Sequence, residues 1–440
     1  MSSISIGLIL IGVLFTLVLM GMRIAVALMA VAFAGVWIIR GNFDLSMRLM
    51  SMAAYNGVAN YLFATIPLFV LMGHLVSISN VGKDTFDVAE TLLRRLLGGL
   101  GIATVAANTI FAAVTGVSIA SAAVFTKVAV PEMTRHGYRP SFSAGTVAGS
   151  SVLGMLIPPS LLLIIYGVLA EQSIGRMFIA GLLPGALLAG GFVLWILLVS
   201  KFAPSLVFTQ EYLTHKKKAL PFPPAMPVPE ILRKLAPICV LVLFVLGGLY
   251  SGFFTPTEAG GVGAFAALIV ALMRRSLNLR KWWDVLTQTG SISVGILALL
   301  VAASFYSQML AVAGIPSAIG NFVQTSGFGS VGFLIVYVVI VLLLGMILDS
   351  SSILLIVVPI AAPIAQNLGF DLIQFGIITV IAVEVGLLTP PFGISIFTVH
   401  STLADDSTTL ESIFAGALPY VGVMLIVLTL VAVFPGLVIG

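Results

Sequence analysis

The chain has 440 residues, 60% of them hydrophobic and 8% charged, with a net charge of +4 and a single cysteine. Soluble domains carry roughly 25% charged residues, so this composition excludes a soluble protein and predicts an all-α polytopic membrane protein. Cys239 alone excludes an internal disulfide or a cysteine metal cluster, and the basic residues gather in loops between apolar stretches, which fits topology and argues against a nucleic-acid partner.

The first apolar stretch, 4–22, lacks a basic n-region and a small-residue cleavage site and reads as a retained span. Further spans are predicted over 24–39, 60–79, 141–171 and 176–200, then over 235–252, 257–273, 290–312, 373–402 and 411–437. Two other segments, about 98–131 and 331–366, have polar or small residues at their middle. Arms of about 15 residues reach roughly 22 Å, short of the roughly 30 Å hydrocarbon core, and predict re-entrant hairpins. Residues 202–230 hold Lys216, Lys217, Lys218 and the run PFPPAMPVP, which predicts a cytoplasmic linker.

Around that linker the chain reads as two copies, 1–201 and 231–440. A displacement of 232 takes Gly82 to Gly314, Pro131 to Pro363, Gly154 to Gly386, and Pro158 and Pro159 to Pro390 and Pro391. A displacement of 235 takes Gly181 and Pro184 to Gly416 and Pro419. Each copy has five spans, and an odd number of crossings predicts that the second enters from the opposite side, giving inverted repeats. With the N-terminus outside, 17 of the 20 Lys and Arg fall on the inner side, all but Arg40, Arg48 and Arg176. The positive-inside rule then predicts a multi-pass protein of a bacterial inner membrane with both termini periplasmic.

The chemistry is expected where helices break. Proline has no N–H, so Pro158 and Pro159 leave the carbonyls of Gly154 and Met155 without helical donors, and Pro390 and Pro391 do the same for Gly386 and Leu387. Such backbone survives at membrane depth only where protein, a water-filled cavity or a bound cation supplies partners. The hairpin middles read Thr115 to Ser121 (TGVSIAS) and Asp349 to Ser352, with Ser118 and Ser350 equivalent. Their hydroxyl and carbonyl oxygens suit hard cations such as Na⁺, and helix N-termini there suit a carboxylate. Packing of small residues at helix interfaces is the competing explanation for these serines and glycines. Two acids lie at apparent membrane depth, Asp349 and Glu384. Asp349 is the sharper candidate, although it also suits an N-cap, and Glu384 could be paired or protonated. His74 and His400 have no partner at metal-ligand spacing.

The strings GMLIPPSLLLIIYG from Gly154, FIAGLLPG from Phe178, GFFTPTEAGG from Gly252, LGMILDSS from Leu344 and EVGLLTPPFG from Glu384 carry a resemblance along the whole chain. The chain resembles the large membrane subunit of tripartite ATP-independent periplasmic (TRAP) transporters. The resemblance implies a non-enzymatic secondary transporter driven by Na⁺, taking up small organic acids delivered by a periplasmic binding protein. It also implies a second membrane subunit of about four helices, and an elevator in which the hairpins and broken helices move against a scaffold. Carried over by position, it implies one Na⁺ near Gly116 and Ser118 with Ser151 and Gly154, and another near Asp349 and Ser350 with Gly386 and Thr389. The substrate would lie between the tips, against Thr115, Ser121, Ser351, Ser352, Pro159 and Pro391. Val117 stands where the family pattern leads one to expect a hydroxyl or small residue, so only a backbone role carries over there.

A stand-alone Na⁺/dicarboxylate symporter of the same superfold is the nearest alternative, and the family strings argue against it. An intramembrane aspartyl hydrolase needs a second intramembrane aspartate, and a serine type a G-x-S-G string; the sequence has neither. A passive channel fits paired hairpins less well than alternating access does.

Overall fold

In lipid the backbone must satisfy its own hydrogen bonds, and a helix does so within one segment. The computed structural model describes residues 2–214, 226–327, 329–403 and 408–438, and their regular structure is helical apart from one isolated bridge, Tyr138 to Phe208. Among the described residues seven helices are long and apolar enough to cross a membrane. An eighth is added if Pro140–Leu156 and Leu161–Leu169, bent by 42°, count as one broken span. The protein is therefore a multi-pass membrane protein.

The span boundaries differ from expectation in instructive ways. Ser3–Leu19 and Ile24–Arg40 have 17 residues each, about 26 Å of helix, a little short of the hydrocarbon core. The expected span 373–402 divides into Leu372–Leu387 and Ile394–Leu403 around Pro390 and Pro391. The hairpin arms are Gly99–Thr115 with Ser118–Arg135, and Gly329–Gly345 with Ser350–Asn367, each 17 or 18 residues and so longer than the 15 expected. The first hairpin runs past its expected end at 131 because Pro131 sits inside Ser118–Arg135 instead of ending it. By length and composition alone, Ser350–Asn367 qualifies as a span.

The segment expected as a linker is folded at both ends. Pro204–Val207 and Gln210–Thr214 are short helices, and Val228–Tyr250 starts inside the proline-rich run with Pro229 in its first turn, where a missing N–H costs nothing. The near end docks on the loop after the first hairpin: the Arg139 N–H donates to the Val207 carbonyl at 2.9 Å, and the Thr209 N–H to the Gly137 carbonyl at 2.9 Å. Lys216 to Lys218 lie outside the described residues.

Helix starts at Ile24, Ser118 and Pro140 are matched 232 residues later at Pro256, Ser350 and Leu372. One equivalence is broken. Phe43–Ala59, a 3₁₀ turn at Tyr61–Ala64 and Thr65–Ile78 stand opposite the continuous Leu279–Ala313, which is longer than its expected 290–312. The side chain of Asn60 accepts from the Leu62 N–H at 3.0 Å, and Pro67 cannot donate back to Phe63, so the first copy bends where the second, with Ile292 and Leu299, does not.

The two halves interleave. Thr65–Ile78 packs on Pro256–Met273, Ile24–Arg40 on Leu279–Ala313, and Pro140–Ser151 on Leu410–Val433. The hydroxyls of Thr65 and Thr257 hydrogen-bond at 2.8 Å across the first of these seams. The short helix Val81–Leu93, which packs on the first hairpin arm, is tied back by charge: Asp84 pairs with Arg274 and, at 3.8 Å, with Lys234, which also meets Asp87 at 2.7 Å. These side chains are 13 to 29% exposed, so screening is incomplete. Asp84→Ala is expected to destabilise the protein by about 1 to 3 kcal/mol, between exposed and buried pairs. A thermal unfolding midpoint in detergent equal to that of the wild type would refute this.

Candidate functional site

The first tip exists because Gly116 takes a left-handed φ of 62°, ending Gly99–Thr115, after which Val117 is extended and Ser118 opens the next helix. The Gly116 carbonyl accepts from the Leu161 N–H at 3.2 Å, and a Cβ on Gly116 would stand 2.5 Å from the Pro159 carbonyl oxygen. Gly154 presents its bare Cα to the Val117–Ser118 backbone, 3.3 to 3.4 Å from where its Cβ would be. The tip is thus seated on the first broken helix.

At the second tip Asp349 is the N-cap of Ser350–Asn367. Its carboxylate accepts from the Ser352 N–H at 3.1 Å and from the Ser352 hydroxyl. Its side chain therefore stabilises the tip, and any cation contact would be shared with that role. The backbones of Gly345 and Gly386 pack directly together, an approach that a Cβ on either would prevent, so this tip too rests on its broken helix.

The side chain that joins the tips is Glu384, which sequence reasoning ranked second. It is 2% exposed. Its Oε1 accepts from the Ser350 hydroxyl at 3.2 Å, and the Ser118 hydroxyl lies close enough to interact with the same carboxyl without completing a well-formed hydrogen bond. Oε2 and the Ser118 Oγ are both buried and without hydrogen-bond partners. Ser118 and Ser350, the equivalent first residues of two helices, are thereby brought to one carboxyl. The signal that could have found it was present: an acid in an otherwise apolar run two residues before the glycine of the break.

The four carbonyls expected to be free divide into two pairs. That of Met155 accepts from the Ser160 hydroxyl, and that of Gly386 from the Thr389 N–H at 3.0 Å. Both are supplied locally, which corrects that part of the expectation. The carbonyls of Gly154 and Leu387 have no hydrogen bond among the described residues. The Pro158–Pro159 and Pro390–Pro391 bonds are cis. The first break is buried throughout, whereas Pro390, Pro391 and Phe392 are exposed.

Several expected site side chains are turned inward on their own helices. The hydroxyls of Thr115, Ser151 and Thr389 donate to the carbonyls of Phe111, Ala148 and Val385 at 3.1, 2.8 and 2.7 Å. Ser121 donates to Asn108 Oδ1 at 2.6 Å, and Asn108 donates to the Ser150 hydroxyl at 2.6 Å, so Ser121 knits the hairpin to the broken helix. Ser351 is half-buried. Beside the first tip the void lined by Thr115, Gly116, Val117 and Pro159 is about 10 Å³, too small for an organic acid. A larger cavity of about 660 Å³, with Asn56, Asn60, Gln172 and Gln308 in its wall, opens away from the tips, where Leu279–Ala313 faces the second hairpin.

Oxygen donors without partners are thus gathered at the tips and breaks, a set suited to a hard cation. No group of three or more His, Cys, Asp or Glu occurs among the described residues.

Residues 11–437 match the family model for the tripartite ATP-independent periplasmic transporter, DctM component. The chain is 34% identical to the C4-dicarboxylate TRAP transporter large permease protein DctM of Pseudomonas aeruginosa over 89% of this chain and 88% of that one. It is 28% identical to the sialic acid TRAP transporter large permease protein SiaM of Vibrio cholerae over 94% and 93%. Its fold is like that of the YdaH transporter of Alcanivorax borkumensis, at a TM-score of 0.59, 14% identity and 90% of each chain. The chain belongs to the DctM component family of tripartite ATP-independent periplasmic transporters.

Proposed function

We propose that this chain is the large permease of a Na⁺-coupled uptake system for a small organic acid, delivered by a periplasmic substrate-binding protein and working with a small membrane subunit of about four helices. The observation that carries the reading is the convergence of both hairpin tips on one buried carboxyl, with unpartnered oxygens around it. By family position, one cation is placed at Gly116, Ser118, Ser151 and Gly154, and another at Asp349, Ser350, Gly386 and Thr389. The hydroxyls of Ser151 and Thr389 donate to backbone carbonyls and that of Ser350 to Glu384, which leaves their lone pairs to a cation, while the Ser118 hydroxyl and the carbonyls of Gly154 and Leu387 have no hydrogen bond among the described residues.

The substrate lies between the tips in a conformation more open than this one, with its carboxylate toward the helix N-termini at Ser118 and Ser350. Relatives named for C4-dicarboxylates and sialic acid support an acid. The halves are inverted repeats, and the hairpins with their broken helices move as an elevator against a scaffold built around Ile24–Arg40, Thr65–Ile78, Pro256–Met273 and Leu279–Ala313. The polar cavity beside Leu279–Ala313 supports such a boundary. Both termini are periplasmic and the membrane is the bacterial inner membrane.

The test is uptake into liposomes holding both membrane subunits, with candidate binding proteins outside. Uptake should require an inward Na⁺ gradient, and Ser350→Ala should lower it at least tenfold at limiting Na⁺. Uptake indifferent to Na⁺ would reject the coupling, and uptake by this chain alone would favour the stand-alone symporter.

A further inference from the structure

Arg274, Arg275, Arg280 and Lys281 crowd the loop 274–278 and the first turn of Leu279–Ala313. Both helices that flank this loop, Pro256–Met273 and Leu279–Ala313, are long and apolar enough to cross a membrane, so the loop lies at a bilayer surface. Arg274 is spent on Asp84. Arg275, Arg280 and Lys281 are exposed and have no acid partner among the described residues; Asp284, one turn beyond Arg280, pairs with none of them. The Lys281 Nζ donates to the Ser276 carbonyl at 3.2 Å, and the Asn278 side chain accepts from the Lys281 N–H at 2.8 Å. The N–H groups of Leu279 and Arg280 are left without acceptors among the described residues, which adds the positive end of a long helix to the three cations. Beside this charge runs an apolar strip. Leu279, Trp283 and Leu286, at i, i+4 and i+7, are exposed on one face, and Met273 is exposed at the end of the preceding helix. The rule that keeps Lys and Arg on the inner side of a membrane asks only that they be in the loop; it does not ask that they stand unpaired around a helix start.

We infer that Arg275, Arg280 and Lys281, together with the helix start at Leu279, bind the phosphodiester of an anionic phospholipid whose acyl chains lie along Trp283 and Leu286. Guanidinium groups match two phosphate oxygens at once, and clustered basic groups at a membrane surface select anionic lipids. A zwitterionic headgroup is disfavoured because it brings its own ammonium to three cations. The lipid steadies the loop that carries Arg274, and through it the ion pair that ties Asp84 of Val81–Leu93. The site is independent of the substrate and of the coupling ion.

The experiment is thermal unfolding of the purified full chain in detergent, titrated with phosphatidylglycerol, with phosphatidylcholine or with soluble glycerol 3-phosphate. Phosphatidylglycerol is expected to raise the wild-type midpoint at roughly tenfold lower concentration than phosphatidylcholine, or less, and the preference should shrink as salt is raised. Arg275→Gln/Arg280→Gln is expected to respond to the two lipids alike. Lys127→Gln/Arg135→Gln, which removes the same charge elsewhere, is expected to keep the wild-type preference. Lys281→Gln, which leaves both arginines in place, should weaken the preference roughly fivefold and serves if the arginine variant does not fold. Equal responses of the wild type to both lipids would overturn the site. A preference kept by the folded Arg275/Arg280 and Lys281 variants, or lost equally in the control, would also overturn it, because charge spread over the whole surface then accounts for the effect. A midpoint raised as much by glycerol 3-phosphate as by phosphatidylglycerol would replace the lipid with a free phosphate ester and reject the inference.

Discussion

Gly145→Val is expected to leave little folded protein in the membrane. Pro140–Ser151 and Leu410–Val433 cross backbone on backbone: a Cβ at Gly145 would fall on the backbone of Gly416, and one at Gly416 on the carbonyl of Ser141. Nothing flexible lies between them that could give way. Close small-residue crossings supply much of the attraction between helices in lipid, where no hydrophobic force separates helix from solvent. Overpacking of ordinary cores costs about 1 to 3 kcal/mol, and here the obstacle is main chain, so the upper end applies. Pushing these helices apart would also strain the Thr146 hydroxyl to Tyr420 hydroxyl hydrogen bond of 2.7 Å one turn away. Size-exclusion profiles and thermal midpoints of detergent extracts check this; a monodisperse variant of wild-type midpoint would mean that the seam is looser than the structure places it.

Gly116→Ala is expected to act differently, sparing the fold and removing transport. The left-handed backbone costs a non-glycine residue about 1 to 2 kcal/mol, and the added methyl must push the Pro159 carbonyl away from its 2.5 Å approach. The contact penalty falls on the seated tip and vanishes if the tip lifts, whereas the left-handed penalty weakens the turn itself in either position. With about 1.4 kcal/mol per factor of ten, a contact penalty of about 1 to 3 kcal/mol lowers the seated population roughly fivefold to a hundredfold. Uptake should fall accordingly, while the thermal midpoint moves by no more than the left-handed penalty of about 1 to 2 kcal/mol accounts for. Wild-type uptake by Gly116→Ala would show that seating on the first break is not required in the cycle.

Much of this was legible in the sequence, for physical reasons that can be named. Hairpins and breaks could be read because glycine and proline act locally: Gly116 and the two Pro-Pro pairs fix backbone geometry whatever surrounds them. The matching helix starts followed from the displacement of 232. What could not be read was which polar side chains face one another. Ser121, expected at the substrate, turns to Asn108, 13 residues earlier, and Asp349 is consumed by its own helix terminus. Glu384 acquires its importance only from Ser118 and Ser350, residues that three-dimensional packing brings to it. The expected span over 60–79 begins at Asn60, but Phe43–Ala59, the helix that Asn60 ends, was not among the expected elements.

The unbroken Leu279–Ala313 helix has 35 residues and is therefore about 52 Å long, while the hydrocarbon layer is about 30 Å thick. A rod of that length cannot be hidden. Its first turns, with Arg280, Lys281, Trp282 and Trp283, carry the residues that settle at the headgroup boundary, and Trp283 is 67% exposed. Leu279–Ala313 thus works as a depth gauge: its indole-bearing end floats at one surface and fixes how far the rest of the molecule sinks into the bilayer.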